Sequence, residues 1–120
     1  GCYVYISSGA ATKYSCLSGA SVGYGASKAS QLGLVKYVAR NLAPFGIRAS
    51  VILPGLFKTG MVPDFMCEKA PAINHTFPNK IGDPDQIATM CVEIVKNSFI
   101  NDTVITVDAG WHIIQDTLPE

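Results

Sequence analysis

Tyr24 and Lys28 are side chains that together can move a proton to or from a bound oxygen, and they stand four apart in Tyr24-Gly25-Ala26-Ser27-Lys28. The segment they head has helical periodicity, and residues i and i+4 of a helix share one face. A phenol titrates near about 10 in water and is a poor proton carrier at neutral pH, unless a neighbouring positive charge favours its phenolate. Lys28 offers that charge. The pair therefore reads as an acid/base suited to a hydroxyl or carbonyl oxygen. The competing reading is an exposed helix face with no chemistry, and the rest of the chain decides between the two. Other candidate groups carry less. Cys2, Cys16, Cys67 and Cys91 form no C-x-x-C, and His75 and His112 have no His or Cys partner at ligand spacing. No metal site is expected, and the cysteines read as reduced, mostly buried thiols. Asn74-His75-Thr76 and Asn101-Asp102-Thr103 match the glycosylation pattern, which matters only in a secreted protein.

The elements that must position the pair follow from periodicity. Residues 2–7 (C-Y-V-Y-I-S) form a short β-branched and aromatic run that ends in Ser7, Ser8 and Gly9, as a buried strand entering a loop does. Residues 8–23, rich in Ser, Gly and Ala, suit a loop that wraps a ligand or a plain surface loop. From Tyr24 the pattern is helical, with Leu32, Val35, Ala39 and Leu42 making one apolar stripe that Pro44 and Gly46 stop. Residues 47–53 (I-R-A-S-V-I-L) read as a second strand broken by Pro54-Gly55. Strand, helix, strand with a short return is a βαβ unit, which implies parallel pairing.

Residues 56–80 have no clean period. Pro63, Pro71 and Pro78 are scattered among Phe57, Met61, Phe65, Met66 and Phe77, a composition that suits a lid over a ligand or a loosely packed crossover. Asp83-Pro84-Asp85-Gln86 is a helix start with a capping box and Pro in the first turn. Ile87, Met90, Cys91, Ile94 and Val95 then form a buried stripe. Residues 103–107 read as a third strand, and Asp108-Ala109-Gly110 as a turn. The order is β-α-β-(lid)-α-β, with no repeat or linker dividing residues 1–120.

Composition bounds what such a domain can do. The chain has 120 residues, 48% hydrophobic and 15% charged, with no formal net charge. It is long enough for one core, and the charge balance gives no electrostatic reason to expect nucleic acid or an acidic membrane as partner. No apolar run approaches the roughly 20 residues that span a bilayer. The start at Gly1 has no basic leader and reads as a strand, so a cytoplasmic protein is expected; a chain that begins in a strand without Met is expected to be truncated.

In open parallel sheets ligands sit outside the carboxyl ends of the strands, and there the first strand ends at Ser7-Ser8, the second at Pro54-Gly55, and the Tyr24 helix begins. Taken together, Ile6-Ser7-Ser8, Tyr24-Gly25-Ala26-Ser27-Lys28, Gly46-Ile47-Arg48, Pro54-Gly55-Leu56-Phe57-Lys58-Thr59 and Val107-Asp108-Ala109-Gly110 resemble, in this order, the C-terminal half of the short-chain dehydrogenase/reductase family. The resemblance runs from Cys2 to about Trp111. It implies an α/β fold: the last three strands and their helices of a Rossmann-type, doubly wound parallel sheet, with the N-terminal half absent. It also implies an oxidoreductase that moves a hydride between NAD or NADP and an alcohol or carbonyl substrate, with the choice of dinucleotide open.

The resemblance assigns roles by position. Tyr24 is the implied acid/base, and Lys28 the residue that assists it and bonds the nicotinamide ribose. Ser8 is the implied holder of the substrate oxygen, with Ser7 as alternative because Ser8 lies sixteen residues before Tyr24, more than is usual in the family. Pro54 and Gly55 would line the nicotinamide, with the glycine admitting the flat ring, and Thr59 would bond its carboxamide. The missing half would carry the glycine-rich pyrophosphate turn, so the 120 residues alone are expected to be inactive and the first strand to have a bare edge. Phe57, Met61, Phe65 and Met66 point to an apolar or ring-bearing alcohol or ketone. Ala26, Ala29 and Gly33 are small enough for a homodimer or homotetramer packed through the Tyr24 helix. Two other readings compete: a truncated, non-catalytic interaction module, and a nucleotide-sugar epimerase, which the short stretch between Thr59 and the last strand disfavours.

Overall fold

A computed structural model describes residues 1–13, 22–60 and 81–113. Its elements are strand β1 (Cys2–Ile6), helix α1 (Val22–Leu42), strand β2 (Arg48–Pro54), helix α2 (Pro84–Lys96) and strand β3 (Val104–Val107). The strands form one sheet in the order β1-β2-β3, and both pairings are parallel. Residues Ala49 to Leu53 of central β2 are all buried, which is why that segment, apart from Ser50, is apolar on both faces rather than alternating.

Alternation sorts β2 between the two faces of the sheet. Ala49, Val51 and Leu53 meet Val35 and Ala39 of α1, with Tyr5, Leu32 and Val38 packed around them. The stripe expected on α1 is thus the one used. Ser50 and Ile52 lie on the opposite face and are fully buried, as is Ile94 of α2, a helix that packs against β1. Of the stripe expected on α2, Ile87, Met90 and Cys91 are half-buried, and Val95 is exposed. Val95 is a correction with a simple cause: at 100° per residue it falls beyond the edge of the arc that holds the other four.

Helix ends follow their residues. α1 begins at Val22, two residues before Tyr24, and runs into a 3-10 turn at Ala43–Phe45 that contains Pro44; Gly46 closes it with φ of 70°. A left-handed residue at this position is a common helix stop. At the start of α2 the Gln86 side chain accepts a hydrogen bond from the Asp83 backbone N–H at 2.9 Å. The second strand extends one residue further than expected, through Pro54. Pro54 has no N–H to give, but it lies past the last β1–β2 pair, Ile6 with Ile52, and the Gly55 N–H keeps the ladder to β3 by donating to Val107 O at 2.9 Å.

The lid expected at residues 56–80 lies outside the described residues from Met61 onward. Its first part is not lid-like. Phe57 is buried and forms a parallel bridge with Gly82, while Lys58 N–H donates to Gly82 O and Gly82 N–H to Leu56 O, at 2.9 and 3.1 Å. A side chain on Gly82 would collide with the Phe57 ring, 2.6 Å from Cδ1. The Phe57 ring is therefore spent on this junction. Cys2 and Cys91 are free and half-buried, and Cys16 and Cys67 lie outside the described residues. No described helix is long and apolar enough to cross a membrane, and no described strand pairs with the outer edge of β1.

Candidate active site

The parallel ladder delivers the chain to one edge of the sheet, where β1 and β2 end side by side. Ser7 N–H still donates to Ile52 O at 2.9 Å, so the first serine belongs to the sheet, whereas Ser8 starts a 3-10 turn at Gly9–Ala11. The two hydroxyls do different things. Ser7 is 5% exposed, and its Oγ donates to the Lys28 carbonyl at 2.7 Å. A serine has one proton to donate, so that bond consumes it. Ser8 is half-buried, and its Oγ accepts from Ala10 N–H at 3.1 Å, a bond that leaves its own proton unspent.

α1 crosses this edge with its first two turns. Gly25 faces the 3-10 turn: a Cβ there would lie 3.6 Å from Ala10 O. One turn on, Lys28 Nζ donates to Ile6 O, the carbonyl at the end of β1, at 3.3 Å. The same ammonium lies 5.9 Å from the centre of the Tyr24 ring, as i, i+4 spacing requires. Tyr24 is 40% exposed. Ser8, Tyr24 and Lys28 thus gather at the carboxyl edge of the sheet, with Pro54 and Gly55 ending the next strand.

Gly55 is small for a reason that spacing did not reveal. A Cβ there would fall 2.6 Å from Asp108 Cβ and 2.9 Å from Asp108 Cα. The glycine admits the chain leaving β3. That chain turns sharply, with Ala109 at φ 56° and Gly110 at φ 82°, and Asp108 holds the turn. Its carboxylate accepts from Gly110 N–H at 3.0 Å, from His112 N–H at 2.9 Å, and pairs with His112 Nδ1 at 3.0 Å. Trp111 then reaches back to the first strand's turn. It is 7% exposed, and a Cβ on Gly9 would sit 2.7 Å from its Cζ3. Lys13 Nζ donates to Trp111 O at 2.9 Å and stands 4.7 Å from the indole centre.

Sequence reasoning missed Gly9, Asp108 and Trp111 as parts of this edge. The available signal was a glycine directly after the serine pair and the chain's single tryptophan directly after a turn. Thr59 is exposed and lies beyond the Phe57–Gly82 bridge.

The donor set has a definite chemistry. It consists of the Ser8 and Tyr24 hydroxyls and the Lys28 ammonium, which suit a bound oxygen, while Thr59 is not brought to them by any described contact. Among the described residues, no glycine-rich turn leads from a strand directly into a helix start, the arrangement that binds a pyrophosphate.

Known proteins similar to this chain in sequence and in fold form a consistent set. The family profile described as Enoyl-(Acyl carrier protein) reductase matches residues 1–112. A 3-hydroxyacyl-CoA dehydrogenase type-2 from Bos taurus is 40% identical over 94 residues, covering 72% of this chain and 34% of that protein. The crystal structure of 3-hydroxyacyl-CoA dehydrogenase type-2 from Mycobacterium avium superposes with a TM-score of 0.82 at 31% identity, over 92% of this chain and 42% of that one. A 3-oxoacyl-[acyl-carrier protein] reductase from Brucella melitensis, solved with bound NAD, does so with a TM-score of 0.80 at 26% identity, covering 95% and 42%. This chain spans about a third of the length of the curated relatives it matches.

Proposed function

We propose that this chain, which belongs to the short-chain dehydrogenase/reductase family of oxidoreductases, contributes the proton-transfer machinery for interconverting a secondary alcohol and its ketone. The observation that carries this reading is the gathering of Ser8, Tyr24 and Lys28 at the carboxyl edge of β1. NAD or NADP, when bound, supplies the hydride acceptor or donor, and the residues present fit its nicotinamide end: Lys28 for the ribose hydroxyls, Thr59 for the carboxamide, and the backbone at Pro54-Gly55 beside the ring.

The residues of this chain then act as follows. Ser8 donates its unspent proton to the substrate oxygen and holds it in place. Tyr24 removes the hydroxyl proton in the oxidative direction and returns it in the reductive one. Lys28 places a positive charge next to the tyrosine as negative charge builds on the phenolic oxygen. Donors fixed in advance cost little rearrangement during the reaction, which is the physical advantage of building the site on a strand end and a helix.

The substrate class follows by analogy. The Bos taurus and Mycobacterium avium relatives are named for 3-hydroxyacyl-CoA, so a 3-hydroxyacyl thioester is the first alcohol to assay. The test is Tyr24→Phe in the full-length protein. Turnover should fall at least about a hundredfold while dinucleotide binding and thermal stability are kept, the size expected for loss of a general acid/base. Near-normal turnover would refute the assignment.

A further inference from the structure

The buried hydroxyl of Ser7 is left unexplained by the reaction. It is 5% exposed, and its one proton is spent on the short 2.7 Å bond to the carbonyl of Lys28 rather than left for a substrate oxygen. In a helix one lone pair of each interior carbonyl is taken by the N–H four residues on, and the second remains available. Ser7 fills it at Lys28. Two further contacts tie α1 to the end of β1 and the turn after it: Lys28 Nζ donates back to Ile6 O at 3.3 Å, and Gly25 lies against Ala10 O. The serine is itself fixed to the central strand, through its N–H to Ile52 O at 2.9 Å.

These bonds define a clasp. The β1 end holds the backbone of Lys28, and the Lys28 side chain holds the β1 end. Tyr24 is one helical turn from this clasp, and Ser8 is the next residue along the chain from it. The separation of the two groups that must meet one substrate oxygen is therefore set at Ser7. Apolar packing does this less well. Val35 and Ala39 anchor α1 at its far half, and small residues near the clasp, such as Gly25 and Ala29, offer little side chain to resist sliding or rotation.

Building on the proton-transfer reading above, we propose that Ser7 is a positioning residue: its hydroxyl, through the Lys28 carbonyl, fixes the register of α1 against β1 and so the placement of Tyr24 and Lys28 relative to Ser8. The role differs from that of Ser8, which touches substrate.

Threonine and valine have nearly the same shape and differ in the hydroxyl, so Ser7→Thr and Ser7→Val in the full-length protein separate the bond from the space it occupies. Each is assayed with NAD and 3-hydroxybutyryl-CoA, or the secondary alcohol turned over fastest, with Tyr24→Phe in parallel. Misplacement of catalytic groups by a fraction of an ångström lowers turnover rather than binding, so Ser7→Val should lose about tenfold or more in kcat with KM and NAD affinity little changed, and Ser7→Thr should stay within about threefold of the parent. Equal kcat values for the two variants, high or low, would overturn the proposal, because the hydroxyl would then not matter. Ser7→Ala, which adds no bulk, covers the case in which valine does not fold: full kcat in that variant also overturns it. If Tyr24→Phe keeps full turnover, the acid/base reading itself fails. If Tyr24→Phe is inactive while Ser7→Ala is fully active, only the positioning role does.

Discussion

At Gly55 the absent side chain is a packing requirement. An added methyl would meet Asp108 Cβ at 2.6 Å and Cα at 2.9 Å, and the backbone there is held in place by Asp108's bonds to Gly110 and His112. The collision cannot be relieved by turning a flexible side chain. Gly55→Ala is expected to destabilise the protein by about 1 to 3 kcal/mol, the usual cost of overpacking. Urea denaturation checks this, and a midpoint unchanged from the parent would show that the β3 turn yields more easily than its hydrogen bonds imply. Gly9 is in a similar position against the Trp111 ring. Both glycines adjoin proposed site residues, so the turn after β3 supports the strand ends that carry Ser8 and Pro54.

Among the elements, α2 depends on a residue far from it in sequence. The last carbonyls of a helix have no partner within it, and here Arg48, at the start of β2, supplies them. Its guanidinium donates to Ile94 O at 2.9 Å, Val95 O at 2.9 Å and Ile100 O at 2.7 Å. One planar fork thus ties the end of α2 and the following turn to the sheet. Arg48→Met keeps much of the apolar stem but leaves these carbonyls without the charged donor, and a loss of roughly 2 to 3 kcal/mol is expected. Arg48→Lys should recover only part, since one ammonium cannot span the three acceptors in the same geometry. Denaturation midpoints in the order parent, Lys, Met would support this account. Equal midpoints for Lys and Met would show that charge alone contributes nothing.

For the molecule as a whole, the described residues hold, on the proposed reading, the nicotinamide end of a dinucleotide site and no pyrophosphate end. Most of the cofactor's charge is on its pyrophosphate, which is bound by backbone N–H groups at a glycine-rich helix start. Gly23 and Gly25 lie inside the first turns of α1 rather than in such a turn. On that reading the residues offer the cofactor one ring surface and a few hydrogen bonds of about 1 kcal/mol net each, set against the entropy lost on association. The 120 residues by themselves are therefore expected to bind NAD and NADP no tighter than about millimolar, and to show no dehydrogenase activity. Calorimetry tests this directly, and a micromolar dissociation constant would mean that these residues complete the site in another way, for instance by pairing with a second copy.

Much of this architecture was legible before any coordinates. Tyr24 and Lys28 share a helix face because 3.6 residues per turn allows nothing else at that spacing. Asp83 and Gln86 mark a helix start because a short side chain reaches only its own first turn, and five motifs in one order carry the family. Each of these rests on residues close together in the chain, whose preferred geometry is a local matter. What only the tertiary structure decided involves partners far apart. Which of two adjacent serines has its proton spent depended on a carbonyl 21 residues away. Arg48's acceptors begin 46 residues downstream, and Gly9 and Gly55 owe their size to a turn that follows the last strand. Parallel strands bring together chain segments separated by long crossovers, and the side chains that meet at their ends are set by how those crossovers pack, which no stretch of neighbouring residues encodes.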